Sequence, residues 1–98
     1  MKSSRPPSFS RALRAVRTAR GLPQEAFDLV SNRTYVSALE RGLKQPTLSK
    51  TADLAAVCKV HPLTLVALSF CASAKPAEFE RLMARVKQEF DDLGLLDL

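Results

Sequence analysis

The sequence predicts an all-α fold, and three observations carry that prediction. Apolar residues recur at steps of three and four in one segment after another, the period of a helix with one buried face. The segments open on good N-cap residues, Ser8, Asn32 and Thr47, or on a proline suited to a first helical turn, Pro23, Pro62 and Pro76. Several close on a glycine placed where a left-handed residue ends a helix, Gly21, Gly42 and Gly94. Five such segments fill residues 8–70, and a sixth, strongly amphipathic one occupies 75–98. Residues 1–7, with Lys2, Arg5 and the Pro6-Pro7 pair, have no apolar period and read as a flexible basic arm.

The first helix is expected after Ser8, running to about Arg20, with Phe9, Ala12, Leu13 and Val16 inward. Arginines at 11, 14, 17 and 20 step round it, so at least one points inward. Such an arginine needs a carboxylate partner, because an unpaired buried charge costs several kcal/mol. A short second helix follows from Pro23, with Ala26, Phe27 and Val30 as its apolar side.

The third segment, residues 32–42, organises the rest. Val36 and Leu39 share its apolar stripe, Tyr35 lies at the edge, and Arg33, Thr34, Ser37 and Ala38 fall opposite. An ordinary solvated face carries Glu, Lys and Gln. This short, polar, nearly uncharged face suits close approach to a grooved partner, as a recognition helix does. In the fourth helix Leu48, Ala52, Leu54, Ala55 and Cys58 suit burial, and in the fifth Leu63, Leu65, Val66 and Leu68 do. His61, before Pro62, reads as a helix-start residue.

Ninety-eight residues bound the chain to one domain with an appendage. The net charge of +5 is lopsided: residues 1–50 carry ten Lys/Arg against three acids, a net of +7, and 51–98 carry five against seven, −2. A basic half that also holds the candidate recognition helix is what a polyanion-binding face looks like. No apolar run spans a bilayer, and no h-region follows the basic start, so cytoplasmic residence is expected. Cys58 and Cys71 are then reduced core thiols. With His61 they are too few and wrongly spaced for a metal site. No phosphate loop or nucleophile constellation is present, so no enzyme and no cofactor is expected.

Arg17, Gly21-Leu22, Gln24-Glu25, Tyr35-Val36-Ser37, Leu39-Glu40-Arg41-Gly42, Pro46-Thr47-Leu48 and Pro62-Leu63 come in the order seen in one family. Over roughly residues 9–68 the chain resembles the Xre/Cro-type helix-turn-helix regulators, the lambda-repressor-like proteins. The resemblance implies a five-helix DNA-binding domain whose second and third helices form the DNA-contacting unit. It implies a phosphate contact for Gln24, and base-edge positions for Arg33, Thr34, Ser37 and Ala38, flanked by Asn32 and Tyr35. Lys44 and Gln45 fall in the loop that meets the DNA backbone, and Glu40 is the buried acid partnered by Arg17. Between Gln24 and Glu40 the chain is about two residues shorter than the family pattern, and the turn lacks its customary glycine. A truncated second helix or turn is expected.

The C-terminal stripe of Phe79, Leu82, Met83, Val86, Phe90 and Leu93 must bury somewhere, on its own domain or against a second copy. The second is favoured here, with flanking Arg81, Arg85 and Lys87 set against Glu78, Glu80, Glu89 and Asp91 across the pair. The expected function is that of a homodimeric repressor binding a palindromic double-stranded operator through its third helix. The alternative is a protein-interaction module or antitoxin-like partner that keeps the fold without sequence-specific DNA binding.

Overall fold

A computed structural model describes residues 7–73 and 75–97. The expected basic arm, apart from Pro7, and Leu98 of the apolar tail lie outside the described residues. Five α-helices follow in order: α1 Phe9–Ala19, α2 Arg33–Glu40, α3 Leu48–Cys58, α4 Pro62–Phe70 and α5 Pro76–Asp92. A four-residue 3-10 turn, Gln24–Phe27, stands between α1 and α2 where a second helix was expected. The helix expected to be the recognition helix is therefore α2. No strand occurs among the described residues.

Side-chain caps account for where most helices begin. The Ser8 hydroxyl accepts from the Arg11 amide at 3.2 Å, Asn32 Oδ1 from the Tyr35 amide at 2.8 Å, and Thr47 Oγ1 from the Lys50 amide at 3.0 Å. His61 Nδ1 accepts from the Leu63 amide at 2.9 Å, so the histidine opens α4 ahead of Pro62. Each cap satisfies a donor that the first helical turn leaves unpaired.

The core is a small cluster drawn from every element before α5: Phe9 and Leu13, Phe27, Val36 and Leu39, Leu54, Ala55 and Cys58, and Leu65. Three residues expected inside are not. Leu48 is 84% exposed, and Ala52 and Leu63 are exposed too. The buried stripe of α3 is Thr51, Leu54, Ala55 and Cys58, spaced three, four and seven from its first member. Leu48 and Ala52 lie off that stripe. Thr51 is tolerated inside because its hydroxyl donates to the Thr47 carbonyl at 2.8 Å. Cys58 and Cys71 are buried thiols, and burial raises the pKa of both.

The three arginines of α1 and its C-cap, Arg20, explain how the helices are held. Arg11 donates to the Leu68, Cys71 and Ala72 carbonyls at the end of α4, at 3.4, 2.9 and 3.2 Å. Arg14 donates to the Glu40 carbonyl at the end of α2. Arg20 donates to the Cys58 and Lys59 carbonyls at the end of α3, at 2.9 and 3.1 Å. Arg17 takes the Glu40 carboxylate and, at 2.9 Å, the Leu22 carbonyl. Helix C-termini carry unpaired carbonyls and partial negative charge, so a guanidinium placed there satisfies both. Four of the ten Lys/Arg side chains in the first half of the chain thus brace helix ends, although Arg14 and Arg20 remain exposed while doing so.

Helix α5 has no buried residue. It stands beside α4, and the two line apolar clefts, one of them about 400 Å³ and bounded by Thr64, Ala67, Leu68, Cys71, Pro76 and Phe79. The Glu78 carboxylate ties the linker down, accepting from the Ala72 and Ser73 amides at 2.8 Å each. The flanking charges pair along the helix itself, Arg85 with Glu89 at 3.1 Å and Lys87 with Asp91 at 3.0 Å. Among the described residues no single helix is long and apolar enough to cross a membrane.

Candidate nucleic-acid interface

The site is built from the 3-10 turn, the tight turn of residues 28–31, helix α2 and the loop after it. The shortened turn closes on one acceptor: the Val30 and Ser31 amides both donate to the Phe27 carbonyl, at 3.0 and 2.9 Å. Outside the glycines, the positive backbone φ angles among the described residues belong to Lys59 and Asp97. Residues 28–31 therefore stay in ordinary backbone space, and the missing glycine is not needed.

Glu40 anchors α2 from beneath. Its carboxylate, 3% exposed, accepts from Arg17 Nε at 2.7 Å and from the other end of the same guanidinium at 2.9 Å. Gln24 Nε2 donates to it as well, at 3.0 Å. Burial alone would raise the Glu40 pKa; the hydrogen bonds from Arg17 and Gln24 and the charges of Arg17 and Arg14 outweigh that and hold it below its ordinary value. The hydrogen bond to Glu40 correspondingly raises Arg17. One amide hydrogen of Gln24 is thus committed inward, and the other remains for a contact outside the fold.

On the outer side of α2, Arg33 and Thr34 are exposed and Ser37 is half-buried. Ala38, expected on that face, is a correction: it is 6% exposed and turned inward. Helix α2 packs against both α1 and the 3-10 turn, so its buried side is wide enough to take Ala38 along with Val36, Leu39 and Glu40. Arg41 takes its place on the outside. It is exposed and follows Ser37 by four, as Ser37 follows Arg33, so the three share one stripe. That spacing was readable in the sequence. Asn32 is exposed with its oxygen used in the cap, and Lys44 and Gln45 are exposed in the loop. The Gly42 amide donates to the Leu39 carbonyl and the Leu43 amide to that of Ala38, at 3.1 and 2.9 Å, with Gly42 at φ +76°. This left-handed closure turns the loop out from the helix end.

Nearby carboxylates temper the positive character of this surface. Arg33 is flanked by carboxylates, Glu25 at 3.9 Å and Asp28 at 3.7 Å. All three side chains are more than half exposed, so these pairs are worth well under about 1 kcal/mol and yield readily to a better acceptor. Tyr35 is half-buried, its ring beneath the Lys50 ammonium at 5.9 Å.

Residues 13–65, more than half of the chain, match the helix-turn-helix family model. Among solved structures the fold is similar to the high-resolution crystal structure of the restriction-modification controller protein C.AhdI from Aeromonas hydrophila. That match has a TM-score of 0.56 and 35% sequence identity, covering 59% of this chain and 91% of that one. No curated protein matches. Helix α5 lies beyond the family segment.

Proposed function

Because the chain belongs to the Xre/lambda-repressor-like helix-turn-helix family, we propose that it is a sequence-specific repressor. In this reading it binds double-stranded DNA as a homodimer and does no catalysis. The observation that carries the reading is the outer stripe of α2, where Arg33, Ser37 and Arg41 lie in register with Thr34 beside them. A helix that fits the major groove presents such short polar residues with arginines able to reach guanine edges or phosphates. Arg33 then exchanges its weak contacts with Glu25 and Asp28 for a base. Arg41, Lys44 and Gln45 meet the backbone, and the second amide hydrogen of Gln24 meets a phosphate. Transcription is blocked where the site overlaps a promoter.

One such domain makes few base contacts, and a second copy doubles them while setting two recognition helices about 34 Å apart on a palindromic site. The exposed apolar residues of α5, Phe79, Val86, Phe90 and Leu93, with half-buried Leu82 and Met83, supply the pairing surface. The competing reading, an interaction module or antitoxin-like partner, draws on Arg11, Arg14, Arg17 and Arg20, whose donors are engaged by carbonyls and a carboxylate of the fold. Selection of duplexes from a random pool, with competition by non-specific DNA, separates the two. An enriched palindrome supports the repressor. A pool left unenriched at low salt removes it.

A further inference from the structure

We propose that Lys50 is the positioning residue for the recognition helix, bracing it and its shortened turn against α3. The inference rests on the reading of α2 as the DNA-contacting helix. Lys50 stands in the first turn of α3, with its side chain only 27% exposed. Its ammonium donates to the Val30 carbonyl at 2.5 Å, lies 5.9 Å from the centre of the Tyr35 ring, and is 4.0 Å from Asp53 Oδ2. One charged group thus touches the turn, the first turn of α2 and α3 together.

The shortened turn makes this necessary. The Phe27 carbonyl collects both the Val30 and Ser31 amides, and among the described residues no backbone amide reaches the Val30 carbonyl. A lysine ammonium has three donors on a flexible stem, and the charge strengthens the bond it makes to a neutral carbonyl. The Tyr35 ring adds a cation–π contact at the outer edge of its useful range. The foot of the brace is firm, because Leu54, Ala55 and Cys58 root α3 in the core.

The consequence is geometric. Helix α2 has eight residues and is about 12 Å long, so a tilt of about 5° displaces one end by about 1 Å. Base-edge hydrogen bonds hold within a few tenths of an ångström, whereas phosphate contacts through long side chains adapt. Loss of the brace therefore costs discrimination more than general affinity for DNA.

Tyr35 is the only tyrosine and the chain has no tryptophan, so its ring signals report this contact without DNA. Lys50→Met keeps the stem over the ring and removes the donor; Lys50→Gln is the second variant should Met lower the melting temperature sharply. We expect the Tyr35 ring resonances of the free protein to shift in both variants. Affinity for the selected duplex should fall about tenfold, the effect of one charge-assisted hydrogen bond. Affinity for random duplex and the salt slope should stay at parental values, and Lys50→Arg should recover most of the loss. Equal losses on both duplexes with the salt slope reduced by about one would make Lys50 a phosphate contact and overturn the proposal. Unchanged Tyr35 resonances would overturn it as well. Failure of the parent chain to select any duplex would instead remove the DNA-binding reading, leaving the resonance test of the brace intact.

Discussion

Removing Arg17 tests how α2 is anchored, and its effect follows from the geometry around Glu40. Arg17→Met takes away two of the three side-chain hydrogen bonds to that carboxylate, at 2.7 and 2.9 Å, together with the opposing charge. Glu40, 3% exposed, is left with Gln24 and the nearby charge of Arg14. An ion pair broken in this way costs about 3–5 kcal/mol. A domain of this size loses about 4–8 °C of melting temperature per kcal/mol, so the drop is on the order of 20 °C. Glu40→Gln leaves the other partner behind, but Arg17 is 17% exposed and keeps the Leu22 carbonyl, so about 1–3 kcal/mol is expected. The double variant Arg17→Met with Glu40→Leu should cost less than Arg17→Met alone, because no orphaned charge remains. Acid separates the cases further. In the parent the folded Glu40 pKa is depressed, so the pair's stabilisation is complete above the unfolded value of about 4.5 and disappears as pH falls through the folded value. In Arg17→Met burial dominates and raises the folded pKa, so acidification from pH 7 to 5 stabilises that variant and narrows its gap to the parent. Urea and thermal melts followed by circular dichroism across that range give the answer. A parental melting temperature in Arg17→Met, or a gap that widens on acidification, would refute the reasoning.

Arg33→Ala should weaken binding to a selected duplex by about 1–3 kcal/mol and relax one base position, read by repeating the selection with the variant. If specific and random duplexes lose alike, Arg33 is a backbone contact. Arg41→Ala and Lys44→Ala should each lower affinity on every sequence and reduce the salt slope by about one, and an unchanged slope takes that residue off the interface. Leu82→Asp combined with Val86→Asp should yield a folded monomer with weak operator affinity, measured by sedimentation and titration. A parent chain that is monomeric at tens of micromolar yet binds tightly would show that α5 plays no part in pairing.

What could be read from the sequence follows the range of the forces involved. Ser8, Asn32, Thr47 and His61 act on amides two or three residues away, so local pattern located the helix starts. The direction of Ala38 was not local. It depends on two neighbours, α1 and the 3-10 turn, closing over α2 from different sides. The exposure of Leu48 and Ala52 has the same origin, since α3 has more apolar positions than its packing partners cover. The truncation between Gln24 and Glu40 was visible as a length difference, but its form was not. Four residues close as a 3-10 turn through the Pro23 and Glu25 carbonyls, and the next turn closes on Phe27, an acceptor pattern that no periodicity encodes. The period-three arginines signalled an inward charge. Their shared role emerged only once three helix ends were seen converging on α1.

That convergence bears on how the domain opens. Residues of α1 and its C-cap Arg20 satisfy the C-terminal carbonyls of α2, α3 and α4, and an eight-residue helix such as α2 is far too short to persist alone in water. Fraying of α1 would strip the ends of the other three at once, so these segments form one cooperative unit. Amide hydrogen exchange should show α1 to α4 opening together at the global unfolding free energy. Helix α5 in the isolated chain, with nothing buried, should exchange far sooner. Helix α2 therefore cannot be loosened by itself: a perturbation of its anchorage is felt throughout the domain, while α5 can move without disturbing it.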